Sequence, residues 1–198
     1  MPLLFRGVAF GSHWQIHDAT ASGFTPHIRG TPHSINMMMM HIVGATPVSP
    51  YMSLTSSYAV AYSYAAGVTA STGTVHLPTP ANPGYVYFID IPDPLPPHAP
   101  HVQLFDPVKE IGAMAPLPPT QVPYQHEGKP EYLLGIVDPR RFHRYMRSYR
   151  LGAGGQVTSR PDTPSQHLLT LVCALRDAEL LAYDYIPPDY VVHRIPVP

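Results

Sequence analysis

The sequence has little cysteine, little charge and no long apolar run. The one cysteine, Cys173, excludes an intrachain disulfide and a zinc site built on cysteine ligands. Charged residues make up 13% of the chain and the net charge is −1, which excludes a strongly basic nucleic-acid-binding protein and an acidic solvating chain. No stretch approaches the ~18 apolar residues of a membrane span, and the opening MPLLFRGVAF lacks a signal-peptide pattern. We therefore expect a soluble protein that makes no membrane contact.

Proline is abundant instead, with 26 residues, and glycine adds 14. Together they form about a fifth of the 198 residues, less than the share typical of low-complexity disorder. Hydrophobic residues make up 44% of the chain and supply a core. The length suits one domain, and the sequence has neither an internal repeat nor a clear linker. We expect residues 1–198 to form a single α+β domain with long Pro-rich connections.

The hydrophobic pattern predicts short strands and few helices. The predicted strands cover residues 3–9, 51–55, 85–91, 101–105, 131–137 and 142–150. The predicted helices cover residues 12–21, 35–41, 58–66, 107–111 and 166–181. The last of these is the one long helical pattern, with leucines at helical spacing after Ser165 as N-cap.

Several common sites are missing from the sequence. The twelve histidines are scattered, so no metal site is predicted. The hydrolase motif GxSxG and the phosphate-binding motifs GxxxxGK[ST] and GxGxxG are absent. Five of the twelve Lys and Arg residues lie within residues 140–150. That cluster is interpreted either as a solvated strand face or as a surface for an anionic partner.

Four features follow one another along the chain in an order that carries information. They are Arg6 in LFRG, His41 three residues before Gly44, the segment Ser53-Leu54-Thr55 that ends a strand before a helix, and Glu131 at the start of a strand. In this order the sequence resembles the mono-ADP-ribosyltransferase toxins of the cholera and pertussis type, the Arg–Ser–Glu class. The segments SGFTP, YMSLTSS and YVYFIDI add to the resemblance, which covers residues 3–150. Residues 151–198 then form a C-terminal helix and extension.

The resemblance implies a fold and a substrate. The fold is two packed, mainly antiparallel sheets around an NAD cleft, with flanking helices. The substrate is NAD, and no metal is required. Three residues are the implied catalytic set: Glu131 contacts the ribose and stabilises positive charge, Ser53 orients Glu131, and His41 touches the ribose or assists proton transfer.

The implied NAD-binding residues are Arg6, Gly7, Ser53, Thr55 and Tyr62. Arg6 supplies a fork of donors to the NAD phosphate or adjacent ribose, and Tyr62 is one of the tyrosines that suit stacking on the nicotinamide ring. Purely structural interpretations stand beside these roles. Arg6 then pairs with a core carboxylate, Ser53 ends a strand, and the tyrosines fill the core.

The identity of the catalytic glutamate has two interpretations. Gln125-His126-Glu127 is a literal Gln-x-Glu, whereas Glu131 is followed by Tyr-Leu-Leu, Asp-Pro and Phe as in pertussis-type sequences. Glu127 is followed by Gly-Lys-Pro, which is not expected to run on as a regular strand because Pro130 lacks an amide donor. We favour Glu131.

Two departures from the family bear on the acceptor. The family's Ser-Thr-Ser is Ser-Leu-Thr, and Lys129 stands where a Glu or Gln is usual, two residues before Glu131. We expect a secreted or injected effector that acts in a target-cell cytoplasm on a macromolecule, a protein in preference to a nucleic acid, at a group other than arginine. A host target or an immunity protein is the expected partner. The alternatives are an NAD glycohydrolase and a catalytically inactive binding module.

Overall fold

A computed structural model describes residues 3–43, 48–67, 77–94, 97, 102–114, 123–126, 129–132 and 166–198. The strands are β1 (Leu4–Val8), β2 (Tyr51–Thr55), β3 (Gly84–Ile89), β4 (Gln103–Phe105), β5 (Pro123–His126), β6 (Lys129–Tyr132), β7 (Glu179–Tyr183) and β8 (Val191–Val197). The helices are α1 (His13–Ile16), α2 (Ala19–Ser22), α3 (Ile35–Val43), α4 (Tyr58–Ala65), α5 (Pro107–Met114) and α6 (Gln166–Arg176). A 3-10 turn, Pro188–Tyr190, precedes β8.

Six strands form one antiparallel sheet in the order β4-β7-β2-β1-β3-β8, and β5 and β6 form a separate two-stranded sheet. The predicted mixture of short strands and few helices is confirmed. The two packed sheets around a cleft are not seen among the described residues. The physical reason is a contact in the middle of the large sheet, where β1 pairs with β2 and joins the two halves into one.

That central contact is short. β1 and β2 share one registered pair, Phe5↔Thr55, whereas β1 and β3 share five. Continued pairing would place Gly7 opposite Ser53, and no such pair forms between these two described strands. The two strands therefore separate toward Gly7 and Ser53. There the Ser53 carbonyl oxygen hydrogen-bonds a side chain, that of Arg6, instead of the neighbouring strand.

Alternation along β1 places its residues on two faces of the sheet. Leu4 and Val8 join the main apolar core, which also holds Phe24. Phe5 and Gly7 face α4, and a Cβ at Gly7 would lie 2.0 Å from the Ala61 carbonyl oxygen. Gly7 is thus required for the close approach of α4 to β1.

The C-terminal part departs most from the predictions. The predicted helix over 166–181 ends at Arg176, because Ala178 adopts a left-handed φ of 45° and the next five residues form β7. Leu180 and Leu181 suit a helix or a strand equally, and pairing with β2 and β4 decides for the strand. β8 was not predicted either. The predicted strand over 142–150 lies outside the described residues.

The remaining differences are local. The predicted helix over 12–21 is two short helices, because the Asp18 side chain accepts a hydrogen bond from the Thr20 amide and starts α2 anew. The predicted strands over 3–9, 51–55, 85–91 and 101–105 are confirmed, with shifts of one to two residues at some ends. Of the predicted strand over 131–137, the first two residues belong to β6 and the rest lie outside the described residues.

Candidate functional site

A polar cluster lies where β1 and β2 part. The Arg6 guanidinium in β1 donates from Nη1 to the Ser53 carbonyl oxygen in β2 at 2.6 Å. The imidazole of His41 in α3 lies with Nε2 2.8 Å from the Ser53 hydroxyl. Three residues that the sequence analysis selected far apart in the chain therefore meet at one point.

A fourth residue completes the cluster, and the sequence analysis did not select it. Glu179 opens β7 and is 9% exposed. Its opposite residue in β2 is Thr55, while Ser53 stands opposite Leu181. Glu179 and Ser53 are therefore diagonal neighbours on one face of the antiparallel pair, and hydrogen bonding by the Ser53 hydroxyl lowers the pKa of the Glu179 carboxyl group.

The surroundings of Glu179 raise its pKa to about 7. Burial is the main cause, because it penalises the charged form. The Ser53 hydrogen bond and the positive charges of Arg176 and Arg6 lower the pKa, and the nearby Asp177 raises it. A carboxyl group with this pKa is divided between its acid and its base near neutral pH.

Arg6 is a cation with unused donors. Burial lowers its pKa to about 10, and the attraction of Glu179 acts in the opposite direction, so the guanidinium is charged at neutral pH. Its Nε is buried without a hydrogen-bond partner among the described residues. The guanidinium carbon lies 5.4 Å from the centre of the Phe24 ring. An unpaired buried donor on a cation is costly, and an incoming anion would relieve that cost.

His41 is a neutral group in this cluster. It is 3% exposed, and burial lowers its pKa to about 3, with the Arg6 charge and then His27 acting in the same direction. Its Nδ1 lies 2.8 Å from the Ser49 hydroxyl. Both ring nitrogens are thus occupied by side chains of the protein.

The other predicted NAD-binding residues have defined places. Thr55 donates from its hydroxyl to the Asp177 carbonyl oxygen, which secures the turn immediately before Glu179. Gly7 serves the packing of α4, as described above. Tyr62 lies on α4, 43% exposed, with its ring 6.2 Å from that of Tyr58.

Asp177, two residues before Glu179, is engaged in structure. Arg176 pairs with both of its carboxylate oxygens, and the Tyr64 hydroxyl donates to Oδ2 at 2.8 Å. The two carboxyl groups beside the cluster therefore differ: Asp177 has a cationic partner in contact, whereas Glu179 has the Ser53 hydroxyl.

The predicted catalytic glutamate, Glu131, belongs to a different sheet from the cluster. Glu131 is in β6, opposite Tyr124 of β5, in the two-stranded sheet. The side chains of β6, Lys129 included, lie outside the described part of the chain, as do all of Glu127 and residues 140–150. The catalytic role of Glu131 stays a prediction.

One signal in the sequence pointed to Glu179. It begins the run Glu-Leu-Leu-Ala-Tyr, which resembles the Glu-Tyr-Leu-Leu run that begins at Glu131. Glu179 lies outside residues 3–150, the region that carries the resemblance. The resemblance implies no catalytic residue beyond that region. Ser49 carried no motif and was found through its contact with His41.

Comparison with known proteins adds no assignment. No family model matches the chain, and no curated protein shows significant similarity to it. Within the described ranges, no group of three or more His, Cys, Asp or Glu side chains is placed to hold a metal ion. No helix in the described part is long and apolar enough to cross a membrane.

Proposed function

We propose that this protein cleaves NAD and transfers ADP-ribose to a macromolecular acceptor, with Glu179 as the carboxylate that acts on the nicotinamide ribose. The observation that carries the proposal is the Arg6–His41–Ser53–Glu179 cluster. It joins a cation with spare donors to a buried carboxyl group that a serine orients. The resemblance described above relates such a set to NAD.

The chemistry sets a requirement for Glu179. When the bond between C1′ of the ribose and the nicotinamide nitrogen breaks, its electron pair leaves with nicotinamide and the ribose becomes an oxocarbenium ion. An acceptor oxygen then bonds to C1′ and releases its proton. A preorganised carboxylate stabilises the positive charge that develops at C1′. Glu179 performs this role only when ionised, and Ser53 holds it in place.

Arg6 fits the diphosphate of the same substrate. A guanidinium presents donors in a fixed plane that match phosphate oxygens. Nη1 is already used by the Ser53 carbonyl oxygen, which fixes the plane of the group. The remaining donors are available to phosphate oxygens. We therefore assign Arg6 to substrate binding rather than to bond cleavage.

The acceptor is proposed from the residue two positions before Glu179. That residue is Asp177, and Arg176 already pairs with both of its carboxylate oxygens, so this acid is not available to hold an incoming guanidinium. We propose a group other than arginine, on a protein of a target cell that an exported effector would reach. Small guanidino compounds should therefore be poor acceptors for the unmutated protein.

Incubation with NAD labelled in its adenylate part tests the proposal. The unmutated protein and Glu179→Gln are incubated with a eukaryotic cell lysate, and nicotinamide release and macromolecular label are both measured. We expect label on protein that depends on Glu179. Label in free ADP-ribose alone would identify an NAD glycohydrolase. If neither product forms, the protein is a binding module and the proposal is wrong.

A further inference from the structure

Behind the cluster, hydrogen bonds continue from Glu179 to a buried serine. The order is Glu179, Ser53, His41 and Ser49, and the Ser49 hydroxyl also accepts from the Tyr51 amide at 3.2 Å. Ser49 is 1% exposed. His41 lies within hydrogen-bond distance of both serines, and Ser53 and Glu179 are diagonal neighbours of the β2–β7 pair. The members come from β7, β2, α3 and the segment before β2.

The direction of these hydrogen bonds follows from the inventory of donors. An ionised carboxylate only accepts, so Ser53 must donate its single proton to Glu179. The Ser53 oxygen then accepts from His41, which requires the proton of the neutral imidazole to be on Nε2. Nδ1 is left as an acceptor.

Ser49 closes the series. Its hydroxyl donates its proton to Nδ1 of His41. Its oxygen accepts from the Tyr51 amide, which can only donate. Every member is satisfied in this direction. If the Nδ1–H tautomer formed instead, Nε2 would become an acceptor and compete with Glu179 for the Ser53 proton.

We propose that Ser49 is a positioning residue, which holds His41 in the Nε2–H tautomer and thereby makes Ser53 donate to Glu179. This assigns His41 a positioning role in place of proton transfer. The catalytic consequence rests on the proposed function, whereas the tautomer does not.

The charged groups near Glu179 and His41 are the same in the unmutated protein and in the Ser49 variants. Arg6, Arg176 and Asp177 face Glu179, and Arg6 and His27 face His41. Among the described residues, the hydrogen bonds of the Ser49 hydroxyl are to His41 and from the Tyr51 amide, and none of these charged groups takes part. A change confined to Ser49 therefore alters the hydrogen bonds and leaves these charges in place.

The first test is Ser49→Ala with nitrogen-15 NMR of His41, which distinguishes the two tautomers. Ser12→Ala is the matched control, because it removes a serine hydroxyl bonded to the Ala9 carbonyl oxygen. We expect the Nε2–H tautomer in the unmutated protein and in the control, and a mixture with Nδ1–H in Ser49→Ala. A pure Nδ1–H tautomer in the unmutated protein, or no change in Ser49→Ala, would overturn the proposal.

The second test uses NAD turnover. In Ser49→Ala, weakening of the hydrogen bond from Ser53 to the ionised Glu179 is expected to lower kcat about 10-fold at pH 7. The rate profile should move to higher pH, with KM for NAD unchanged. Ser49→Cys, which keeps a weak donor at similar volume, should restore part of kcat. A rise in KM with kcat unchanged would overturn the positioning role. If the unmutated protein turns over no NAD, the proposed function fails, and the tautomer measurement still decides the role of Ser49.

Discussion

Two glutamates of this molecule begin similar runs, Glu-Tyr-Leu-Leu at Glu131 and Glu-Leu-Leu-Ala-Tyr at Glu179, and their strands lie in different sheets. β6 carries Glu131 and pairs with β5 in a two-stranded sheet. β7 starts at Glu179 and lies between β2 and β4 in the six-stranded sheet, where its first side chain is buried against Ser53. For Glu179, burial and the neighbouring strand β2, rather than the local run of residues, account for the raised pKa and for the contact with Ser53.

The largest expected effect separates these two glutamates. Glu179→Gln should reduce nicotinamide release at least about 100-fold, because it removes the charge that we propose stabilises the oxocarbenium ion. Glu131→Gln is the matched control, the same carboxylate-to-amide change at a glutamate to which the proposal gives no catalytic role, and should stay within about twofold. Initial rates at saturating NAD give the measurement. If Glu131→Gln loses activity and Glu179→Gln retains it, the role returns to the two-stranded sheet.

The sequence alone locates much of this site and misses its carboxylate. Arg6, His41 and Ser53 are predicted because their motifs follow one another in the order of the family that the sequence resembles. Their strands follow from the alternation and the flanking turns. The position of Glu179 depends on pairing over more than a hundred residues, between β2 and β7. A local pattern carries no information about such a pairing, and Leu180 and Leu181 fitted the helix before them equally well.

The next effect concerns Arg6, which belongs to the β1–β2 side of the comparison. Arg6→Lys should weaken NAD binding about 10-fold, because it keeps the charge but loses the planar fork of donors. Arg29→Lys is the control, since Arg29 is an exposed arginine near the Tyr185 ring. Calorimetry with the inactive Glu179→Gln background measures affinity without turnover. Equal affinity of the Arg6 and Arg29 variants would remove Arg6 from the diphosphate site.

The burial of Glu179 should also appear in the stability of the protein. The pKa of Glu179 is about 7 in the folded protein against an ordinary value of 4.5. The folded state therefore binds more protons between these values, and stability is lost as pH rises through this window. Glu179→Gln removes that loss and should raise the free energy of unfolding at pH 8 by up to about 3 kcal/mol, with little change at pH 4.5.

Denaturant unfolding at the two pH values makes this measurement. His41 contributes the opposite dependence, because its lowered pKa costs stability as pH falls below its ordinary value of 6.5. That contribution is present in both proteins and cancels in the difference. An equal gain for Glu179→Gln at both pH values would show that its carboxyl group has an ordinary pKa.

The smallest expected effect is at Tyr62. If its exposed ring stacks on nicotinamide, Tyr62→Ala should raise KM for NAD about 3-fold to 10-fold, and Tyr62→Phe should keep the unmutated value. Tyr58→Ala is a demanding control, because that ring is equally exposed but packs against Phe5. An unchanged KM in Tyr62→Ala would assign the ring to the surface alone.

The most direct measurement of the central claim compares two titrations. Carbon-13 NMR follows the Glu179 carboxyl group in the free protein, and kcat/KM for nicotinamide release is recorded over the same pH range. Since kcat/KM reports the ionisations of the free enzyme, the account predicts that both midpoints lie near pH 7 and move upward together in Ser53→Ala, where the hydrogen bond that lowers the Glu179 pKa is lost. A Glu179 titration near 4.5, or a rate profile that does not follow it, would contradict the account.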